Sequence, residues 1–164
     1  MITITCNPKP TIARLDKFKD RVEKGLGRLA NEWGLQVVGH IKENYLSNRS
    51  KTTLGVVTGR LRSSIRYRTT EDSSRIEIAF GTDVPYGPIH EYGGRTPARV
   101  IMPRKAGGVI SFLIGSRRVF ARKVNHPGSQ MPKRSFMRPG IKDKFQPLKQ
   151  TVIGFLKEAA NNNV

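Results

Sequence analysis

From Ile12 to Tyr45, apolar residues recur at steps of three and four: Ile12, Leu15, Phe18, Val22, Leu26, Leu29, Trp33, Val37, Ile41 and Tyr45. That spacing places them on one face of an amphipathic α-helix of roughly 35 residues, on the order of 50 Å long. Lys17, Lys19, Asp20, Lys24, Arg28 and Glu32 fall on the opposite face. So long a helix has to pack across a whole sheet or against a neighbouring subunit to cover its stripe. Thr11, after Pro8 and Pro10, is the expected cap. Gly25, Gly27, Gly34 and Gly39 each weaken the helix by up to about 1 kcal/mol relative to Ala, and imply either close packing or a bend.

The rest of the chain is shorter in period. Residues 1–10 read as an N-terminal arm with a strand-like start at Ile2 and Ile4, and 46–57 as a flexible loop. A short helical turn opens at Thr58-Gly59 with Leu61 and Ile65 inward. Alternation predicts strands over 66–70 and 75–81, then over 98–102, 108–114 and 117–124. Pro139 suits the first position of a C-terminal helix whose stripe is Ile141, Phe145, Leu148, Val152, Phe155, Leu156 and Ala159. Pro147 predicts a kink in that helix, and 160–164 a frayed tail. The expected fold is a single α+β domain over 1–164. A mostly antiparallel sheet of four to five strands is packed by the long N-terminal helix and the C-terminal helix.

Charge narrows the choice of partner. The net charge is +18, and it is uneven: residues 1–91 carry 15 Lys/Arg against 10 Asp/Glu, residues 92–164 carry 15 against 2. No carboxylate occurs between Glu91 and Asp143, an interval holding twelve Lys/Arg. Such a block calls for a negative partner, whether nucleic acid, an acidic protein ring or a membrane surface. Arg95, Arg99, Arg104, Lys105, Arg117, Arg118, Arg122 and Lys123 form the basic surface candidates. They are positioned to neutralise phosphates, but no helix-turn-helix, zinc-finger or RNA-binding aromatic signature accompanies them. Contact with DNA would therefore be to the backbone, without sequence readout. No apolar run approaches the 18 or so residues of a membrane span, so no membrane partner is expected. With one cysteine, Cys6, and no signal-peptide pattern, the expectation is synthesis in a reducing cytoplasm.

Catalysis finds little support. The Gly25–Ala30 run fits a dinucleotide-binding expression, but it lies within a helical pattern with no strand before it. His40, His90, His126 and Cys6 have no metal-ligand spacing, and no nucleophile elbow is present. Only Glu91 and Asp83 offer carboxylates near the central segments. No enzyme activity, cofactor or metal is expected.

Three segments in order carry a resemblance: TGRLRSSI from Thr58, then IEIAFGT and VPYGPIHEYGG up to Gly94, then HPGSQMPKRSFMRPGI ending at Ile141. Together they resemble the tail-completion, neck and minor tail proteins of tailed bacteriophages. Thr58, Gly59, Leu61, Ser64 and Ile65 fit the first motif; Gly81, Thr82, Tyr86, His90, Glu91, Tyr92 and Gly93 the second; Pro132, Phe136, Arg138 and Pro139 the third. Gly87 and Gly140 depart from it where alanine is common. The resemblance implies a structural virion protein at the head–tail junction, present in the particle and in host cytoplasm during assembly. Its implied partners are itself, as a ring with six copies the first expectation, a head-closure or connector protein, the tail tube and, non-specifically, packaged DNA. Gly59 and Gly93-Gly94 would permit tight turns. Tyr86 and Tyr92 would serve interfaces, and Glu91 would pair with Arg60, Arg62 or Arg95. The alternative is a basic protein that binds nucleic acid non-specifically.

Overall fold

The structure, a computed structural model, describes residues 9–48, 50–72 and 74–161. The strand-like start at Ile2 and Ile4, Cys6, and the last three residues of the expected frayed tail lie outside the described residues. In chain order the first elements are α1 (Lys9–His40), α2 (Arg60–Ser64), β1 (Arg66–Asp72), β2 (Arg75–Gly81) and α3 (Gly87–Tyr92). Then come β3 (Gly94–Arg95), β4 (Arg99–Ile101), β5 (Ile110–Ile114), β6 (Arg117–Ala121), β7 (Val124–His126), β8 (Gln130–Met131) and α4 (Met137–Asn161). Two compact units result: residues up to Gly87 with those from Ser135 onward, and Pro88–Arg134.

The first unit is organised by α1, which packs on α4 and on the β1–β2 hairpin. Its helical path widens into a π-turn over Ile41–Tyr45, so it reaches the residue where the apolar period ends. Ala30, Trp33, Val37 and Ile41 are buried, and the last three join Leu46, Leu54, Ile65 and Phe136 in the core. Trp33 connects three elements. Its Nε1 donates to the Lys144 carbonyl of α4 at 2.8 Å, while its ring meets Phe80 of β2 edge-on with centroids 5.5 Å apart. The glycines serve close packing. The Phe155 ring lies against Gly25 and the Tyr67 ring against Gly34, where a Cβ would overlap either ring. Gly39, by contrast, faces open space. At the other end of α1 the stripe is uncovered: Ile12 and Leu15 are exposed.

The described residues of segment 46–57 form no regular structure, yet Leu46 and Leu54 anchor it in the core and Leu54 N donates to the Tyr45 carbonyl at 3.0 Å. α4 begins at Met137, two residues before the expected Pro139. Proline is tolerated there because the N–H groups of a first helical turn have no intrahelical acceptor. The helix runs on through Pro147 to Asn161.

Among the described residues the expected sheet of four to five strands does not form. The strands pair two by two in four antiparallel ladders, β1–β2, β3–β8, β4–β7 and β5–β6. The last three are nested and make one long hairpin arm within the second unit. Arg95 lies opposite Gln130 and Arg99 opposite His126, so residues 96–98 face 127–129 and the register is kept. Pro97 and Pro127 fall in that gap and have no N–H for a ladder. Thr96 and Ser129 bridge it instead: Thr96 N donates to the Ser129 carbonyl at 2.9 Å and Ser129 N to Thr96 Oγ1 at 2.8 Å. Farther out, residues 102–109 face only 122–123, so an extra loop carrying Arg104 and Lys105 bulges from one strand. The tip closes at Gly115-Ser116 with φ +59° at Gly115 and no positive φ at Ser116. That pattern belongs to a II′ hairpin turn, which needs glycine first.

Candidate interaction surface

The first two motif segments meet through a pair of hydroxyls. Gly59 precedes α2 with φ +73°, and its carbonyl accepts from Ser63 N at 2.9 Å. The single turn of α2 then turns Ser64 and Ile65 inward. Ser64 Oγ donates to the Leu61 carbonyl at 2.8 Å and pairs with Thr82 Oγ1 at 2.6 Å. Thr82 Oγ1 also accepts from Val84 N at 3.2 Å, which bends the chain after β2. Thr58 is exposed, Leu61 packs on the core and Ile65 lies within it. Gly87 sits against the Thr82 methyl, where a Cβ would come within 2.7 Å, and Gly140 sits against Ile41. At both departures from the alanine pattern, glycine is what the local packing admits.

The second and third segments meet at a backbone hydrogen bond. Arg134 N donates to the His90 carbonyl at 2.8 Å, and Gly93 lies against the backbone of Lys133. Burial, and then the neighbouring Arg134 guanidinium, hold the His90 imidazole below its usual pKa. Glu91 is buried. Tyr86 and Tyr92 expose large parts of their rings, 40% and 58%. In the third segment Phe136 is buried in the core with Ile65, Pro132 and Arg138 are exposed, and Pro139 is half-buried. The motif residues therefore divide into braces (Ser64, Ile65, Thr82, Phe136) and surface groups (Thr58, Tyr86, Tyr92, Pro132, Arg138).

The arm holds the basic candidates together. Arg95, Arg99, Arg104, Lys105, Arg117, Arg118, Arg122 and Lys123 are all exposed, and no carboxylate lies between Gly94 and Met131. Along the arm Val100, Met102, Val109, Leu113, Ile114 and Phe120 are each more than half exposed, whereas Ile110, Phe112, Val119 and Val124 are half-buried. Composition had revealed the cations, but not this exposed apolar set. Its signal was present in the isolated pairing of 110–114 with 117–121 around a glycine turn.

Among the described residues, no group of three or more His, Cys, Asp or Glu stands ready to hold a metal, and no helix is long and apolar enough to cross a membrane. No curated protein and no solved structure matches the chain. One family model matches residues 9–93, α1 through α3 and the residue after it, and stops before the arm and the third motif. That match takes in more than half of the 164 residues, the first motif segment and all but the last residue of the second. The chain accordingly belongs to the bacteriophage family described as "Bacteriophage HK97-gp10, putative tail-component", a family of structural tail parts and not of enzymes.

Proposed function

We propose that this tail component acts at the head–tail junction, as a neck or tail-completion ring that docks the head-closure protein on one side and the tail tube on the other. The observation that carries the reading is the arm: eight exposed cations, no carboxylate and an exposed apolar set on a narrow two-stranded scaffold. A ribbon of that kind is marginal on its own and gains by being covered. An acidic ring face supplies both the missing charge and the cover. The uncovered Ile12 and Leu15 at the start of α1 offer a second docking stripe. The motif pairs Ser64–Thr82 and His90–Arg134 hold these surfaces without joining them.

The test is electron microscopy of purified protein mixed with isolated tail tubes or with DNA-filled heads. Uniform rings capping one end of the tube, and loss of capping when salt is raised, are the expected result. A chain that forms no ring and caps neither structure overturns the reading. The eight exposed cations also suit a DNA backbone. In that case duplex binding is tight and falls steeply with salt in proportion to the phosphates neutralised, with no association to tubes or heads.

A further inference from the structure

The first unit contains a groove of about 670 Å³ between α1, the β1–β2 hairpin and α4. Its floor is apolar, with Leu26, Leu29 and Val152, and three carboxylates, Glu23, Glu71 and Asp72, line it. Arg75 is the one cation in the lining, and it pairs with Glu77 at 3.5 Å. In a chain of net charge +18, three of the twelve acids are gathered around one apolar recess.

The tip of the arm has the inverse character. Leu113, Ile114 and Phe120 are 61–64% exposed, and Arg117 and Arg118 flank them without any carboxylate nearby in the sequence. Leu113 and Arg118 are directly opposed across the ladder on one face, as are Ile114 and Arg117 on the other, so each of these two apolar groups has a cation beside it, and Phe120 stands opposite Ser111 on the Leu113 face. Duplex DNA would satisfy these cations but leave Leu113, Ile114 and Phe120 in water, and it would leave the acid-lined groove without any role.

We propose that the arm tip of one copy seats in the acid-lined groove of a second copy. The apolar side chains fill the floor, and Arg117 and Arg118 meet Glu23 and Glu71. The two contact surfaces differ, so the association is head-to-tail and each copy offers one arm and one groove, the kind of contact that builds a ring when its rotation closes. The proposal rests on the reading of this chain as a multi-copy tail component, and it names the contact that joins the copies.

Charge exchange tests it in the full-length chain by sedimentation velocity at low salt. Arg117→Glu with Arg118→Glu reverses the arm; Glu23→Lys with Glu71→Lys reverses the groove. All four positions are exposed, so folding is checked simply by an unchanged circular dichroism spectrum and melting point. Each double variant is expected to weaken self-association at least about tenfold. An equimolar mixture of the two restores it, because every arm then meets a groove of opposite sign. Unchanged association in either variant, no rescue on mixing, or a wild-type chain that stays monomeric at every attainable concentration overturns the contact. So does loss of tube capping in the arm variant alone, with self-association intact, since the arm then serves a different acidic partner. Mass spectrometry of purified particles judges the tail reading separately. A wild-type chain found in tails while neither variant changes its assembly leaves that reading standing without the arm–groove contact, whereas its absence from particles ends both.

Discussion

Asp143 shows how a single residue on α4 ties down the end of α1. Its Oδ2 accepts from Tyr45 OH at 2.6 Å and contacts His40 Nε2 at 2.9 Å. The hydrogen bond from Tyr45, followed by that from His40, holds the Asp143 carboxyl below its ordinary value. The same bond to Asp143 pushes the Tyr45 phenol up to about 12. The signs follow by linkage. The carboxylate stabilises the fold above its unfolded pKa, and this is lost as pH falls through the lower folded value. The phenol stabilises it below its unfolded pKa of about 10, and this is lost as pH rises through about 12. Asp143→Asn should therefore flatten the acid limb of a urea-midpoint-versus-pH curve, and Tyr45→Phe the alkaline limb, with the region near neutrality shifted much less in shape than in height. The motif residues divide in the same physical way. Phe136→Ala, in the core, should cost about 3–5 kcal/mol in denaturant unfolding, against about 0.5 kcal/mol or less for exposed Pro132→Ala.

Elements in this fold are joined by what their side chains leave out as much as by what they bring. α1 approaches α4 and β1 closely because Gly25 and Gly34 have no Cβ where Phe155 and Tyr67 lie. Gly34→Val should overpack this contact and cost about 1–3 kcal/mol, read as a lower midpoint with an unchanged slope. In the arm, the II′ turn depends on the positive φ of Gly115. Gly115→Val should speed amide exchange across β5 and β6, while the amides of α1 keep their protection. Equal loss of protection in both would mean that the arm and the first unit unfold together.

At the scale of the whole molecule, charge and covering go together. The arm extends the acid-free stretch as a ribbon whose cations and apolar groups are both exposed, and the matched family segment ends just before it. Assembly that relies on such a surface is electrostatically steered, so its rate should fall with ionic strength more than its dissociation rate rises. Stopped-flow light scattering across a salt series measures both.

Periodicity alone was enough to find α1, the strands β1 and β2 and the α4 stripe, because each is a local pattern that repeats on one face. It also carried the motifs and the charge block, which are properties of residue identity and order. It did not show that Ile65 and Phe136 share a core, that Thr82 answers Ser64, or that the glycines of α1 mark contacts and not a bend. Those depend on which distant segments come together. Nor did it show that the strands after Gly93 make a two-stranded arm instead of a sheet. Alternation says which residues can line a face, whereas the partner of each strand is decided by register, by prolines that interrupt the ladder and by the extra loop at 102–109. Residue order determined that this chain is basic, motif-bearing and built on a long helix. Only the tertiary structure decided which of its residues are braces and which are left facing outward, because burial is a property of pairs brought together and not of the sequence positions themselves.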